Sequence, residues 1–73
     1  FIDDQDRIYV ADTGNNRIVE FAPDGAWVRY LKVPESPLNK PEGVFVAAGQ
    51  RIYIADTGNN RIVLLEPDGR LNR

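Results

Sequence analysis

The chain has 73 residues, 42% of them hydrophobic, with no cysteine and no histidine; it forms at most one small domain, which buries only about 60% of the surface its unfolded chain exposes, and it lacks both a disulfide staple and the commonest metal ligand and acid–base residue. A formal net charge of −2 and a pI near 4.9 argue against a protein built to neutralise many phosphates, so no nucleic-acid partner is expected. The longest apolar runs, such as VFVAA at 44–48, fall far short of the roughly 20 residues of a membrane-spanning helix, and Phe1 opens neither a charged leader nor an apolar signal core, so a soluble chain with no membrane-spanning segment is expected.

In chain order, Phe1 and Ile2 read as the tail of a strand, followed by strands over 7–12, 17–22 and 26–32. Each is short and rich in Ile, Val, Tyr and Phe. The first two are joined by DTGNN, in which Gly and Asn enter the left-handed region cheaply and the Asp is expected to accept hydrogen bonds from backbone N–H groups of the turn. The next two are joined by PDG, with Pro at the first central position of a type I turn and Gly taking the positive φ of a bulged hairpin. Residues 33–43, VPESPLNKPEG, carry three prolines and no strand pattern, and read as a crossover. The strands then resume over 43–47, 51–56 and 61–66, with a last one beginning at 70. Gly and Pro recur too often for helices of ten or more residues.

The second series copies the first. RIYVADTGNNRIV at 7–19 returns as RIYIADTGNNRIV at 51–63, and an offset of 44 also sets Phe1 on Phe45, Pro23-Asp24-Gly25 on Pro67-Asp68-Gly69, and Arg29 on Arg73. A period near 44 marks a repeat architecture, and strands at that period point to four-stranded propeller blades. In IYVA and IYIA both faces are apolar, so each sheet needs cover on both sides, as a blade between two neighbours has. PEGVFV followed by RIYIADTGNNRIVLLEPDG resembles the NHL repeat, whose pattern runs from Pro-x-Gly-hydrophobic to Ile-Tyr-Val-Ala-Asp-x-Gly-Asn-x-Arg-Ile. The resemblance covers nearly the whole chain. It implies an all-β fold of β-propeller blades, most often six to a disc, with this chain a little under two of them and a piece of something longer. The expected division is a first blade at 1–33 with its first strand truncated, a crossover at 34–42, and a second blade at 43–73 with its last strand truncated.

Strand alternation sends the DTGNN turns and the crossover to one face of such a disc, and loops on a rigid scaffold carry function more often than the scaffold does. The candidate binding residues are therefore Asp12, Asn15, Asn16, Arg17, Glu35, Lys40, Glu42, Asp56, Asn59, Asn60 and Arg61. The oxygen-bearing side chains among them are of the kind calcium uses, but the spacing is not that of an EF-hand loop; the expected role of the two aspartates is to brace the turns and pair with Arg17 or Arg61. Neither a metal nor another cofactor is expected. No hydroxyl or thiol has a histidine to activate it, Tyr9 and Tyr53 read as packing groups, Trp27 as a cover for the sheet edge, and Glu35 and Glu42 as solvated charge rather than a catalytic pair. The resulting expectation is a binding or scaffolding module for a protein or small ligand. The alternatives are part of a lactonase- or lyase-like propeller enzyme with its catalytic residues elsewhere, and RNA binding as the resemblance suggests, which the balance of Lys32, Lys40, Arg17 and Arg61 against Glu35, Glu42, Asp12 and Asp56 disfavours. The uncovered outer faces are expected to be met by further blades or by other copies of the chain.

Overall fold

The computed structural model of the chain describes residues 1–33 and 35–72. Pro34, which opens the expected crossover, and Arg73, which the offset sets against Arg29, lie outside the described residues. Two three-stranded antiparallel sheets follow one another along the chain: β1 (Ile8–Asp12), β2 (Arg17–Phe21) and β3 (Trp27–Leu31), then β4 (Gly43–Val46), β5 (Ile52–Asp56) and β6 (Arg61–Leu65). The fold is all-β. Among the described residues, the strands expected at the two ends of the chain are present as single bridges, Ile2 to Ile8 and Leu65 to Leu71; the bond from Tyr9 N–H to the Phe1 carbonyl at 2.7 Å extends the first of them.

The turns follow local chemistry, with two differences from expectation. At Pro23-Asp24-Gly25 the Gly25 N–H bonds the Ala22 carbonyl at 2.8 Å, Gly25 takes φ +90°, and the register shifts between Glu20 and Phe21, as a type I turn with a bulge requires. Thr13–Asn15 and Thr57–Asn59 wind into single 3₁₀ turns. There the left-handed residues are Asn16 (φ 55°) and Asn60 (φ 54°) rather than the glycines. Nor do Asp12 and Asp56 cap the turn backbone with their side chains, because each turn closes itself through Asn16 N–H to the Thr13 carbonyl and Asn60 N–H to the Thr57 carbonyl. The carboxylates are thereby released to side-chain partners.

Strand alternation divides each sheet into two faces. In the first sheet Tyr9, Ala11, Ile18, Glu20 and Leu31 share one face, as their pairings require; in the second, Val44, Val46, Ile52, Ile54, Val63 and Leu65 share one. These two faces meet and form the core, with Val33 and Leu38 of the crossover buried among them. At roughly 1.5 to 3 kcal/mol per fully buried large apolar side chain, this one contact dominates what favours folding. The opposite faces are open: Val10, Tyr30 and Trp27 on the first sheet and Phe45 and Ile62 on the second are exposed. Trp27 lies on β3, the outermost strand of the first sheet as expected, and is exposed there on the open face, its ring 5.2 Å from that of Tyr30.

The crossover approaches the second 3₁₀ turn closely. Gly58 donates its N–H to the Asn39 carbonyl at 2.7 Å, and a Cβ at Gly58 would stand 2.4 Å from that same oxygen, whereas a Cβ at Gly14 would meet nothing within 4 Å. The two glycines are identical in sequence context and differ only in this neighbour. Gly58→Ala is therefore expected to lower stability by about 1 to 3 kcal/mol through overpacking, and Gly14→Ala to stay within about 0.5 kcal/mol of the parent. Urea unfolding of the two variants checks the contrast, and equal losses would contradict it.

Candidate functional site

At one end of the two sheets the 3₁₀ turns and the crossover gather. In the first turn Asp12 Oδ2 accepts hydrogen bonds from Asn15 Nδ2 at 3.0 Å and Arg17 Nε at 2.9 Å. The second repeats this at Asp56 Oδ2, with Asn59 Nδ2 at 2.8 Å and Arg61 Nε at 2.7 Å. Each aspartate thus pairs with the arginine five residues on, across its own hairpin, which is the pairing the sequence led us to expect.

The crossover then makes the two turns unequal. Asn39 donates its backbone N–H to Asp56 Oδ1 at 2.7 Å, Arg61 Nη2 donates to the Ser36 carbonyl at 2.7 Å and Nη1 to Ser36 Oγ, and Asn59 Nδ2 reaches the Pro37 carbonyl at 3.1 Å. Asp56 is left with 0% exposure, while Asp12 is only half-buried. The same crossover is tied back to the first turn: Thr13 Oγ1 donates to the Pro41 carbonyl and the Lys40 N–H to Asn16 Oδ1, both at 2.8 Å. Residues 36–41 therefore lace the two hairpins together.

Burial opposes ionisation of Asp56, but the Asn39 N–H, the Asn59 amide and the Arg61 guanidinium outweigh it and hold the carboxyl below the usual carboxylate range. Asp12 is held low as well, by the Asn15 amide and then by Arg17. Asp56 accepts on both carboxylate oxygens and Asp12 twice on Oδ2, each from its own neighbours. Among the described residues no three His, Cys, Asp or Glu side chains are grouped to hold a metal. Tyr9 is pushed up to about 12, by burial and then by the nearby Glu20 carboxylate, so it stays a protonated phenol, 3.4 Å from Asp3 Oδ2.

Between the first turn and the crossover lies a concavity of about 330 Å³ lined by Asn15, Asn16, Lys32, Val33, Pro37 and Leu38. Its floor is apolar and its rim carries two amides and an ammonium. Lys40, Asn59 and Asn60 are exposed at the same end. Glu42 immediately precedes β4, its N–H bonded to the Ala55 carbonyl. Glu35 lines a different groove with Lys32, Glu66, Arg70 and Asn72, so it stands apart from the turn residues with which it was grouped.

The opposite end holds a polar cluster that the sequence reading passed over. Glu20, nearly fully buried, accepts from Arg29 Nε at 2.7 Å and lies 3.9 Å from Arg7 Nη1. Arg7 also pairs with Asp3 at 3.0 Å and donates to Gln50 Oε1 in the turn between β4 and β5, while Arg29 donates to the Pro67 carbonyl at 3.0 Å. A signal was available: RIVEF carries a glutamate where its copy RIVLL carries Leu64, and an acid in an apolar strand calls for buried partners.

The NHL repeat family matches the chain over residues 2–21 and 38–65. No curated protein matches it.

The unequal turns give a paired expectation. Asp56→Ala should cost about 2 to 4 kcal/mol, because it strands a buried N–H and a guanidinium, and Asp12→Ala less than about 1 kcal/mol, as for an exposed pair; urea midpoints decide. A carboxyl whose folded pKa is depressed contributes stability above its unfolded pKa, near 3.8, and that contribution is lost as pH falls through the folded value. Stability should thus decline below about pH 4, and Asp56→Asn should flatten that acid limb. An unchanged limb would contradict the role given to Asp56.

Proposed function

Because the chain belongs to the NHL-repeat family and its two sheets are β-propeller blades, we propose that it is a binding or scaffolding module which presents its turn and crossover end to a protein or small ligand. The supporting observation is the concavity between Asn15, Asn16, Lys32 and Pro37-Leu38. A site that recognises rather than transforms needs a fixed shape and a few oriented polar groups over an apolar floor. Here the shape is fixed by the lacing of residues 36–41 to both turns. The amides of Asn15 and Asn16 and the ammonium of Lys32 point the chemistry toward ligands with carbonyl or carboxylate acceptors, which includes an extended peptide segment.

The carboxylates of this end already have partners. Asp12 and Asp56 are engaged by Arg17 and Arg61, so their part is to hold the turns in place, and ligand contact falls to the exposed Asn15, Asn16, Lys40, Asn59 and Asn60.

A two-dimensional amide NMR screen of the chain with a library of small carboxylates and short peptides tests this reading. Binders are expected to shift the resonances of Asn15, Asn16, Lys32, Leu38 and Lys40 and to leave the Pro-Asp-Gly turns at 23–25 and 67–69 unmoved. Binders that cluster on those distal turns, or none from the library, would overturn it.

A further inference from the structure

The concavity beside the first 3₁₀ turn carries three polar groups that differ in what they still offer. Asn16 accepts the Lys40 N–H on Oδ1 at 2.8 Å, which leaves its Nδ2 as a donor with no protein partner among the described residues. Asn15 is set the other way round. Its Nδ2 donates to Asp12 Oδ2 at 3.0 Å, so the atom left over is Oδ1, an acceptor. The exposed Lys32 ammonium makes no hydrogen bond or ion pair among the described residues, although Lys32 also borders the neighbouring groove of Glu35 and Glu66. It is the one charged group in the lining, whose remaining members are Val33, Pro37 and Leu38. The carboxylate behind Asn15, that of Asp12, is taken up by Arg17 at 2.9 Å.

We infer that this concavity takes the C-terminal residue of a peptide: the free carboxylate on Lys32 and Asn16 Nδ2, the backbone N–H on Asn15 Oδ1, and an apolar side chain against Pro37 and Leu38. The inference rests on the binding reading above and names its ligand class. A cation, a donor and an acceptor beside an apolar surface are the complement of an N-acylated α-amino acid, whose carboxylate, amide N–H and side chain all leave one carbon. Size agrees. About 330 Å³ lies at the lower end of ligand sites, which suits one residue with its terminal carboxylate rather than a long segment. A free amino acid fits less well, because its ammonium would stand near Lys32 with no carboxylate in the lining to offset the repulsion. A C-terminal amide keeps the shape and loses the anion. The pair of acid and amide therefore isolates the part played by Lys32.

Amide NMR titrations with N-acetyl-leucine, its C-terminal amide and leucine test this on the parent chain and on Lys32→Gln. N-acetyl-leucine is expected to shift Asn15, Asn16, Lys32 and Leu38 and to bind about two- to fivefold more tightly than its amide, as for one exposed ion pair. That advantage should shrink as salt is raised, and leucine should bind more weakly than N-acetyl-leucine. In Lys32→Gln, which alters an exposed side chain, acid and amide should bind alike. Equal affinity of acid and amide in the parent, an advantage that survives in Lys32→Gln, no shift at these residues from N-acetyl-leucine, or shifts centred on Gly69, Arg70 and Leu71 of the neighbouring groove would each overturn the assignment. If other members of the carboxylate and peptide library still shift Asn15, Asn16 and Leu38, the binding reading stands and only this ligand class falls; silence at those residues from every compound removes both.

Discussion

A β-sheet that is apolar on both faces cannot stand in water with either face bare, and this constraint shapes the whole molecule. The first blade meets half of it by laying Tyr9, Ala11, Ile18 and Leu31 on Ile52, Ile54, Val63 and Leu65 of the second. Repetition follows: if one face of a blade fits the other face of the next, a single sequence pattern suffices for every contact in a disc. The near identity of residues 7–19 and 51–63 is the chemical form of that economy. It also means that the two copies experience different surroundings with the same letters, as Ile18 and Ile62 do.

Apolar contact is non-directional and would allow the sheets to slide or rotate. Polar groups at both ends prevent this. At the crossover end Asp56 and Arg61 seize the backbone of residues 36 and 39, and at the other end Arg7 and Arg29 reach Gln50 and the Pro67 carbonyl of the neighbouring blade. The buried Glu20 is held by two arginines, which satisfies a charge whose isolation would cost several kcal/mol. The crossover latch has a functional corollary, since the same backbone that fixes the blades fixes the wall of the concavity beside Asn15 and Asn16. A ligand site on this end inherits its rigidity from the blade contact.

Most of the strand order was legible in the sequence because period-2 patterning, Pro-Asp-Gly and the 44-residue offset are local signals. Each strand falls one residue short of its expected bounds at one end, or at both in β3, and most of the shortened ends lie near the positive-φ residues Asp6, Gly25, Gly49 and Gly69, while the ends beside Asn16 and Asn60 fall where expected. What local signals could not supply was the difference between the copies. Asp12 and Asp56 have identical neighbours in sequence for seven residues on the C-terminal side, yet Asp56 is buried under Asn39 and Asp12 is not, because burial depends on a segment seventeen residues upstream of Asp56. Gly58 is likewise required for the approach of Asn39 and not for its own φ. Glu35 was assigned to the turn face by its place in the crossover, but the backbone carries it to the groove beside Glu66 and Arg70. The Glu20 network escaped attention because the repeat was read for what its copies share, and the network sits where they differ.

The central claim is that the two blades and the crossover form one cooperative unit held by a single buried contact. Native-state hydrogen exchange of the backbone amides in the presence of increasing urea measures this most directly. The account predicts that amides of β1 and β2, of β5 and β6, and the Asn39 N–H that bonds Asp56 converge on the same opening free energy and the same urea dependence. Exchange of the first sheet at markedly lower free energy than the second, or of Asn39 independently of both, would contradict it.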